Sequence, residues 1–85
     1  MYYVYILRSL KDVRSIYIGF TDDIERRTQE HNSGRSTYTS KQMPWRLAYY
    51  EAYASQADAM DRERQLKHFA NAWAQLRKRI RNSLS

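Results

Sequence analysis

Five side chains of this sequence could act together on a phosphate: Tyr5, Tyr17, Arg27, His31 and Glu63. Arg27 and His31 stand four apart in "DDIERRTQEHNSG", so on a helix they lie one above the other. An arginine placed so can clamp a phosphate, and a histidine beside it can position a proton transfer. A solvated helix face would show the same spacing. Glu63, in "DRERQLK", falls inside an apolar stripe marked by Ala59, Met60, Leu66, Phe69 and Ala70. A carboxylate there is costly unless a cation or several donors meet it. An ion pair with Arg62, Lys67 or Arg27 would satisfy it. So would a place as catalytic acid or metal ligand facing a cleft. One carboxylate can hold one Mg²⁺ ion, with water and substrate phosphate completing the shell. Tyr5 and Tyr17, two of eight tyrosines, could share a face on adjacent strands. They could be ordinary strand packing, or two phenols converging on the cleft that Arg27 faces.

The elements that must position these groups follow from pattern. "YYVYILRS" (2–9) is aromatic and β-branched on both faces and reads as a covered strand. "KDVR" is a polar turn, and "SIYIG" (15–19) pairs back as a hairpin. Asp22 and Glu25 read as a capping box for a helix over about 23–32, which Gly34 stops. After Ile24 that helix offers the core almost nothing. "RSTYTSKQMP" reads as a polar, basic loop, and "WRLAYYEAY" (45–53) as a third strand. Ser55 starts a second helix over about 56–69. Asn71 caps a last one over about 72–82, with Trp73, Leu76 and Ile80 at core spacing. The order is β-β-α-β-α-α. It predicts an α/β or α+β domain over 1–85, a small three-stranded, mainly antiparallel sheet flanked by helices.

Composition narrows the functions. Fifteen Lys and Arg against nine Asp and Glu leave a net charge of +6, which favours a polyanionic partner through counterion release. The absence of cysteine excludes a disulfide scaffold and thiolate metal sites, and suits a reducing compartment. Two histidines alone cannot build a structural zinc site. The opening "MYYVYILRSL" does not read as a signal peptide, and no stretch approaches the length of a membrane span. The expectation is a soluble cytoplasmic protein with no membrane partner. No Walker loop, GxSxG elbow, HExxH or paired acidic cluster is present.

The five residues also fall in a familiar order. The chain resembles the GIY-YIG nuclease superfamily, in particular its small stand-alone bacterial members, from Tyr2 to about Lys67. "YVY" (Tyr3, Val4, Tyr5) stands at the first signature tripeptide and keeps its tyrosine, while "YIG" (Tyr17, Ile18, Gly19) matches the second outright. Arg27 follows eight residues after Gly19, then comes His31, and Glu63 matches the family's metal-binding glutamate. The resemblance implies a one-metal phosphodiesterase. Tyr5 would be the base or its partner, and Tyr17 would align the water or the phosphate. Arg27 would stabilise charge on the phosphoryl oxygens. Glu63 would hold one Mg²⁺ or Mn²⁺ ion. His31 would orient or relay a proton. Gly19 would let a turn run close to the substrate backbone. A phenol has an ordinary pKa of about 10. Arg27, the metal and the basic field are expected to favour its phenolate. The helix after Ile24 would then be the substrate side, giving up core packing to present Arg27 and His31. The first tripeptide lacks the family's glycine. The candidate for a further asparagine is Asn71, which reads as a cap and is left outside the site.

The expected function is a metal-dependent endonuclease hydrolysing phosphodiester bonds in DNA, with DNA ahead of RNA. Cutting would be structure-directed or weakly sequence-specific, in repair or recombination. Arg26, Arg35, Lys41 and Arg46 are expected to contact the nucleic acid. The alternative is a nucleic-acid-binding module of the same fold with little or no cleavage. A third reading is a protein-interaction domain whose charge is incidental, although no protein partner is implied. A pure binder needs no carboxylate beside its phosphate site, which favours the nuclease.

Overall fold

The computed structural model describes Met1–Ser85. Three strands form one antiparallel sheet in the order β2-β1-β3. They are β1 (Tyr2–Ser9), β2 (Ile16–Thr21) and β3 (Trp45–Tyr53). Between β2 and β3 lie α1 (Ile24–Asn32) and the single turn α2 (Thr37–Ser40). After β3 come α3 (Gln56–His68), α4 (Ala70–Arg79) and the short α5 (Arg81–Leu84). The expected α+β architecture and element order are present, with two short helices added.

β1 is central, and its apolar residues explain why. Val4, Tyr5, Ile6 and Leu7 are all buried, as a strand covered on both faces requires. Val4 and Ile6 join Ala59, Leu66, Leu76 and Ile80 in one core, under α3 and α4. Tyr5 and Leu7 point the other way, to Trp45, Tyr17 and Leu47. The register pairs Tyr5 with Gly19 on β2 and with Tyr50 on β3.

Several boundaries differ from expectation for local reasons. Asp23, not Asp22, caps α1: its carboxylate accepts from Arg26 N at 3.1 Å, while Thr21 Oγ1 accepts from Asp23 N. Asp22 instead pairs with the Arg26 guanidinium. Gly34, with φ of 80°, closes the helix as read. The expected loop over 35–44 contains α2, because Thr39 turns inward and is fully buried. α4 begins at Ala70, so Asn71 lies within the helix and does not cap it. The apolar stripe of α3 is narrower than its spacing suggests. Ala59 and Leu66 are buried, while Met60 and Phe69 are exposed.

α3 is fixed to β3 by a polar cluster. Glu51 accepts from Arg62 Nε at 2.9 Å and Nη2 at 3.1 Å, and from the hydroxyls of Tyr49 and Tyr53. Burial alone would raise the Glu51 carboxyl. The hydrogen bonds from Arg62, Tyr53 and Tyr49 outweigh it and hold the group below its ordinary value. A depressed carboxyl stabilises the fold above its unfolded pKa, and the contribution is lost as pH falls through the folded one. Arg62→Met is therefore expected to lower stability by about 2–3 kcal/mol at pH 7, by leaving a buried carboxylate short of donors. Urea unfolding across pH should show the gap from the parent shrinking below about pH 4, near the ordinary Glu value. A gap independent of pH would assign the loss to packing.

Candidate active site

The sequence places a tyrosine at the centre of β1 and a glycine opposite it on β2. Tyr5 lies across the space that a side chain at Gly19 would fill. A Cβ built on Gly19 would stand 2.5 Å from Tyr5 Cζ and 2.9 Å from the Tyr17 ring. Gly19 is thus a buried strand residue that makes room for two phenols. It lies inside β2, where the resemblance implied a turn. The two rings sit with centroids 6.2 Å apart.

His31 comes to the same place from α1, and it is completely buried. Its Nε2 is 3.0 Å from the Tyr5 hydroxyl, and its Nδ1 is 2.9 Å from Thr39 Oγ1. The ring also packs on Tyr17 at 4.6 Å between centroids. The expectation that α1 presents His31 outward is therefore corrected. α1 is held by polar side chains in place of apolar ones. Beside His31, Asn32 donates to Trp45 O and accepts from Trp45 N, at 2.9 and 2.6 Å. The Trp45 indole donates to Thr39 O at 2.9 Å, tying α2 to the same strand.

Arg27, one turn before His31, stays partly exposed and pairs with Glu30 at 3.0 Å. On α3, Glu63 is partly buried and pairs with Lys67 at 3.5 Å, so Lys67 is the cation that meets it. Arg62 is engaged by Glu51 and is not available to Glu63. Lys67 Nζ also stands 5.7 Å above the Tyr17 ring, which links α3 to the phenols. Arg27 and Glu63 both act electrostatically on the Tyr5 hydroxyl. Four elements, β1, β2, α1 and α3, thus bring Tyr5, Tyr17, Arg27, His31 and Glu63 to one place.

The electrostatics of Tyr5 run against expectation. Burial pushes its hydroxyl up to about 12, and Tyr17 adds to the rise. Arg27 pulls it down but does not offset the burial, and the Glu63 charge works against Arg27. Burial, with the Arg27 charge, lowers His31 from its ordinary value, so its ring is neutral at pH 7.

The basic residues divide. Arg26 and Arg27 line one surface hollow with Glu30, and Arg27, Glu30, Arg35 and Ser36 line another. Lys41 lies exposed outside both hollows, and Arg46 donates to the carbonyls of Ser83 and Ser85 at 2.8 Å. A surface hollow of about 750 Å³ is walled by α1, Tyr3, Leu47 and Tyr50 and contains none of the five residues. Asp22, Asp23 and Glu25 stand on its wall, so it repels a polyanion.

Sequence reasoning passed over Thr39 and Tyr38. Tyr38 is 83% exposed with its ring 6.1 Å from Tyr17. Their signal was the tripeptide "TYT" inside a stretch that looked like plain polar loop.

No three His, Asp or Glu side chains converge as a metal cage. A single partly exposed carboxylate fits an ion of the Mg²⁺ type, which keeps its waters and uses substrate phosphate as ligand. No helix is long and apolar enough to cross a membrane.

Comparison with known proteins agrees with this geometry. The family model of the GIY-YIG catalytic domain matches residues 1–81. A UPF0213 protein of Lacticaseibacillus paracasei is 41% identical over 68 residues, covering 79% of this chain and 74% of that protein. A UPF0213 protein of Staphylococcus haemolyticus is 40% identical, covering 81% and 83%. The solution NMR structure of a UPF0213 protein from Bacillus halodurans aligns with a TM-score of 0.53 at 38% identity, covering 89% of this chain and 82% of that one. With a family match over nearly its whole length, the chain belongs to the GIY-YIG nuclease family.

Proposed function

We propose that this chain is a metal-dependent endonuclease that hydrolyses phosphodiester bonds in DNA. The observation that carries the reading is the convergence of Tyr5, Tyr17, Arg27, His31 and Glu63 from separate elements. Tyr5, in its phenolate form, takes a proton from the attacking water, and Tyr17 aligns that water or the phosphate. The water oxygen bonds to phosphorus as the bond to the leaving sugar oxygen breaks. Arg27 meets the charge that develops on the phosphoryl oxygens. Glu63 would hold a Mg²⁺ or Mn²⁺ ion, which would supply Lewis-acid polarisation of the phosphate. Arg26 and Arg35 flank Arg27 and carry the neighbouring backbone phosphates. Lys41 and Arg46, set apart, would serve only a longer duplex. With so little surface for reading bases, cutting is structure-directed or weakly sequence-specific, as repair or recombination requires.

One observation favours the second reading, a binding module that does not cut. The chain alone holds Tyr5 at about 12, away from the phenolate that a base needs. The test is a panel of labelled single-stranded, duplex, flapped and branched DNAs and single-stranded RNA, with Mg²⁺, Mn²⁺ or EDTA. Metal-dependent cutting of DNA supports the nuclease. Binding without cutting on every substrate supports the module. Affinity should fall steeply, in a straight log–log line, between low and moderate salt. Affinity indifferent to salt would remove nucleic acid as the partner.

A further inference from the structure

We propose that Tyr38 is a stacking platform for an unpaired nucleobase, beside the phosphate that Tyr17 and Arg27 receive. The inference rests on the reading of nucleic acid as the substrate, and it adds the kind of strand the site takes. Tyr38 is the most exposed large apolar side chain of the protein, with 83% of its surface open. A ring so open adds almost nothing to the core. Single exposed apolar residues are common, and what sets Tyr38 apart is where it is held. Its ring centroid is 6.1 Å from that of Tyr17. The Tyr17 ring packs in turn on His31 at 4.6 Å and stands 6.2 Å from Tyr5. Three phenol rings thus lead from the buried Tyr5 out to solvent.

The backbone that carries Tyr38 is anchored by its neighbour. Thr39 is fully buried, with its Oγ1 2.9 Å from His31 Nδ1, and its carbonyl accepts from the Trp45 indole at 2.9 Å. A ring presented by an anchored turn has less freedom to lose on binding. Cations stand on either side. Arg35, three residues before Tyr38, lines one hollow with Arg27, Glu30 and Ser36. Lys67 Nζ lies 5.7 Å over the Tyr17 ring. A strand whose phosphates meet Arg27 and Arg35 carries a base past Tyr38.

The chemistry selects a base that is not paired. In a duplex the neighbours in the stack cover both faces of each base, and a protruding ring meets only sugar, phosphate and groove edges. A single strand, flap or gap leaves a face open. Every base has such a face, so the platform reads strand structure and not sequence. Tyr38 is then a binding residue that chooses the substrate, and its hydroxyl is not needed.

Binding in EDTA, read by fluorescence anisotropy on the whole protein, tests this without any cleavage. The probes are labelled oligothymidylate, an abasic deoxyribose-phosphate strand of the same length, and a duplex. Tyr38→Ala should weaken oligothymidylate binding about 5- to 150-fold, the range for loss of one stacked base. Its binding to the abasic strand and to the duplex should match the parent's. Tyr38→Phe and Tyr38→Trp, which keep a ring, should bind oligothymidylate as the parent does. An equal loss on the strands with and without bases would assign Tyr38 to the backbone, and no loss would leave it without a role. Either result overturns the platform, as does a Tyr38→Phe as weak as Tyr38→Ala. Should Tyr38→Ala fail to fold, Tyr38→Leu, apolar but not aromatic, carries the same comparison. A protein that binds through Tyr38 but cuts nothing with metal keeps the platform and loses the nuclease reading alone. A nuclease indifferent to Tyr38 keeps that reading and loses the platform. Parent protein that binds none of the probes loses both.

Discussion

Glu63→Gln is expected to lower metal-dependent cleavage by more than about a hundredfold and to leave the fold intact. A metal held at a phosphate contributes several kcal/mol to the transition state, and each 1.36 kcal/mol is tenfold in rate. Glu63 is the carboxylate whose charge reaches the Tyr5 hydroxyl, and no cage of other acids stands ready to replace it. The substitution keeps the size and polarity of the side chain. It breaks one pair, Lys67 at 3.5 Å, of the i,i+4 kind. Such pairs are worth about 0.3–0.5 kcal/mol, so the urea midpoint should scarcely move. Nucleic-acid affinity should hold or rise slightly, because a negative charge leaves the phosphate site. Unchanged cutting by Glu63→Gln would end its assignment as the metal ligand. A collapsed midpoint would make it a structural residue instead.

The strands, their order and the existence of α1, α3 and α4 were legible because each rests on local pattern. β1 shows it best. Its residues are apolar on both faces, and both faces are covered. What pattern could not show was where a polar side chain ends up. Arg27 and His31 share a helix face by spacing, yet one is partly exposed and the other fully buried. The difference lies in Tyr5, 26 positions away from His31, and in Thr39, which reads locally as loop. Met60 failed in the opposite sense. Its spacing put it on the stripe of α3, but periodicity gives an angle and not what covers it. The Glu51 cluster was invisible for the same reason, since two of its four hydrogen bonds join β3 to Arg62 on α3.

The candidate site residues were singled out through their resemblance to a family, and the structure adds a physical reason for the glycine that follows Tyr17 and Ile18. Gly19→Ala is expected to destabilise the protein by about 1–3 kcal/mol, or more, by overpacking around Tyr5. Backbone strain is not the cause. Gly34 has the positive φ here, and Gly19 does not. The added methyl would fall 2.5 Å from the buried Tyr5 Cζ and 2.9 Å from the partly exposed Tyr17 ring. Cleavage should fall further than stability does, because the displaced phenol loses its 3.0 Å contact with His31. The clash makes a prediction that simple helix or strand propensity does not. In a Tyr5→Leu background the nearer ring is gone and only the Tyr17 contact at 2.9 Å remains. There Gly19→Ala should cost clearly less than in the parent, since alanine suits a strand better than glycine and only one ring is left to shift. The two substitutions should therefore be strongly non-additive in a double-mutant cycle read by urea unfolding. Additive costs would mean that the glycine serves the backbone or the substrate and not the tyrosine. Non-additivity would explain why a tyrosine and a glycine appear together in this arrangement. The phenol can lie flat across the neighbouring strand, within reach of His31, only where that strand has no side chain.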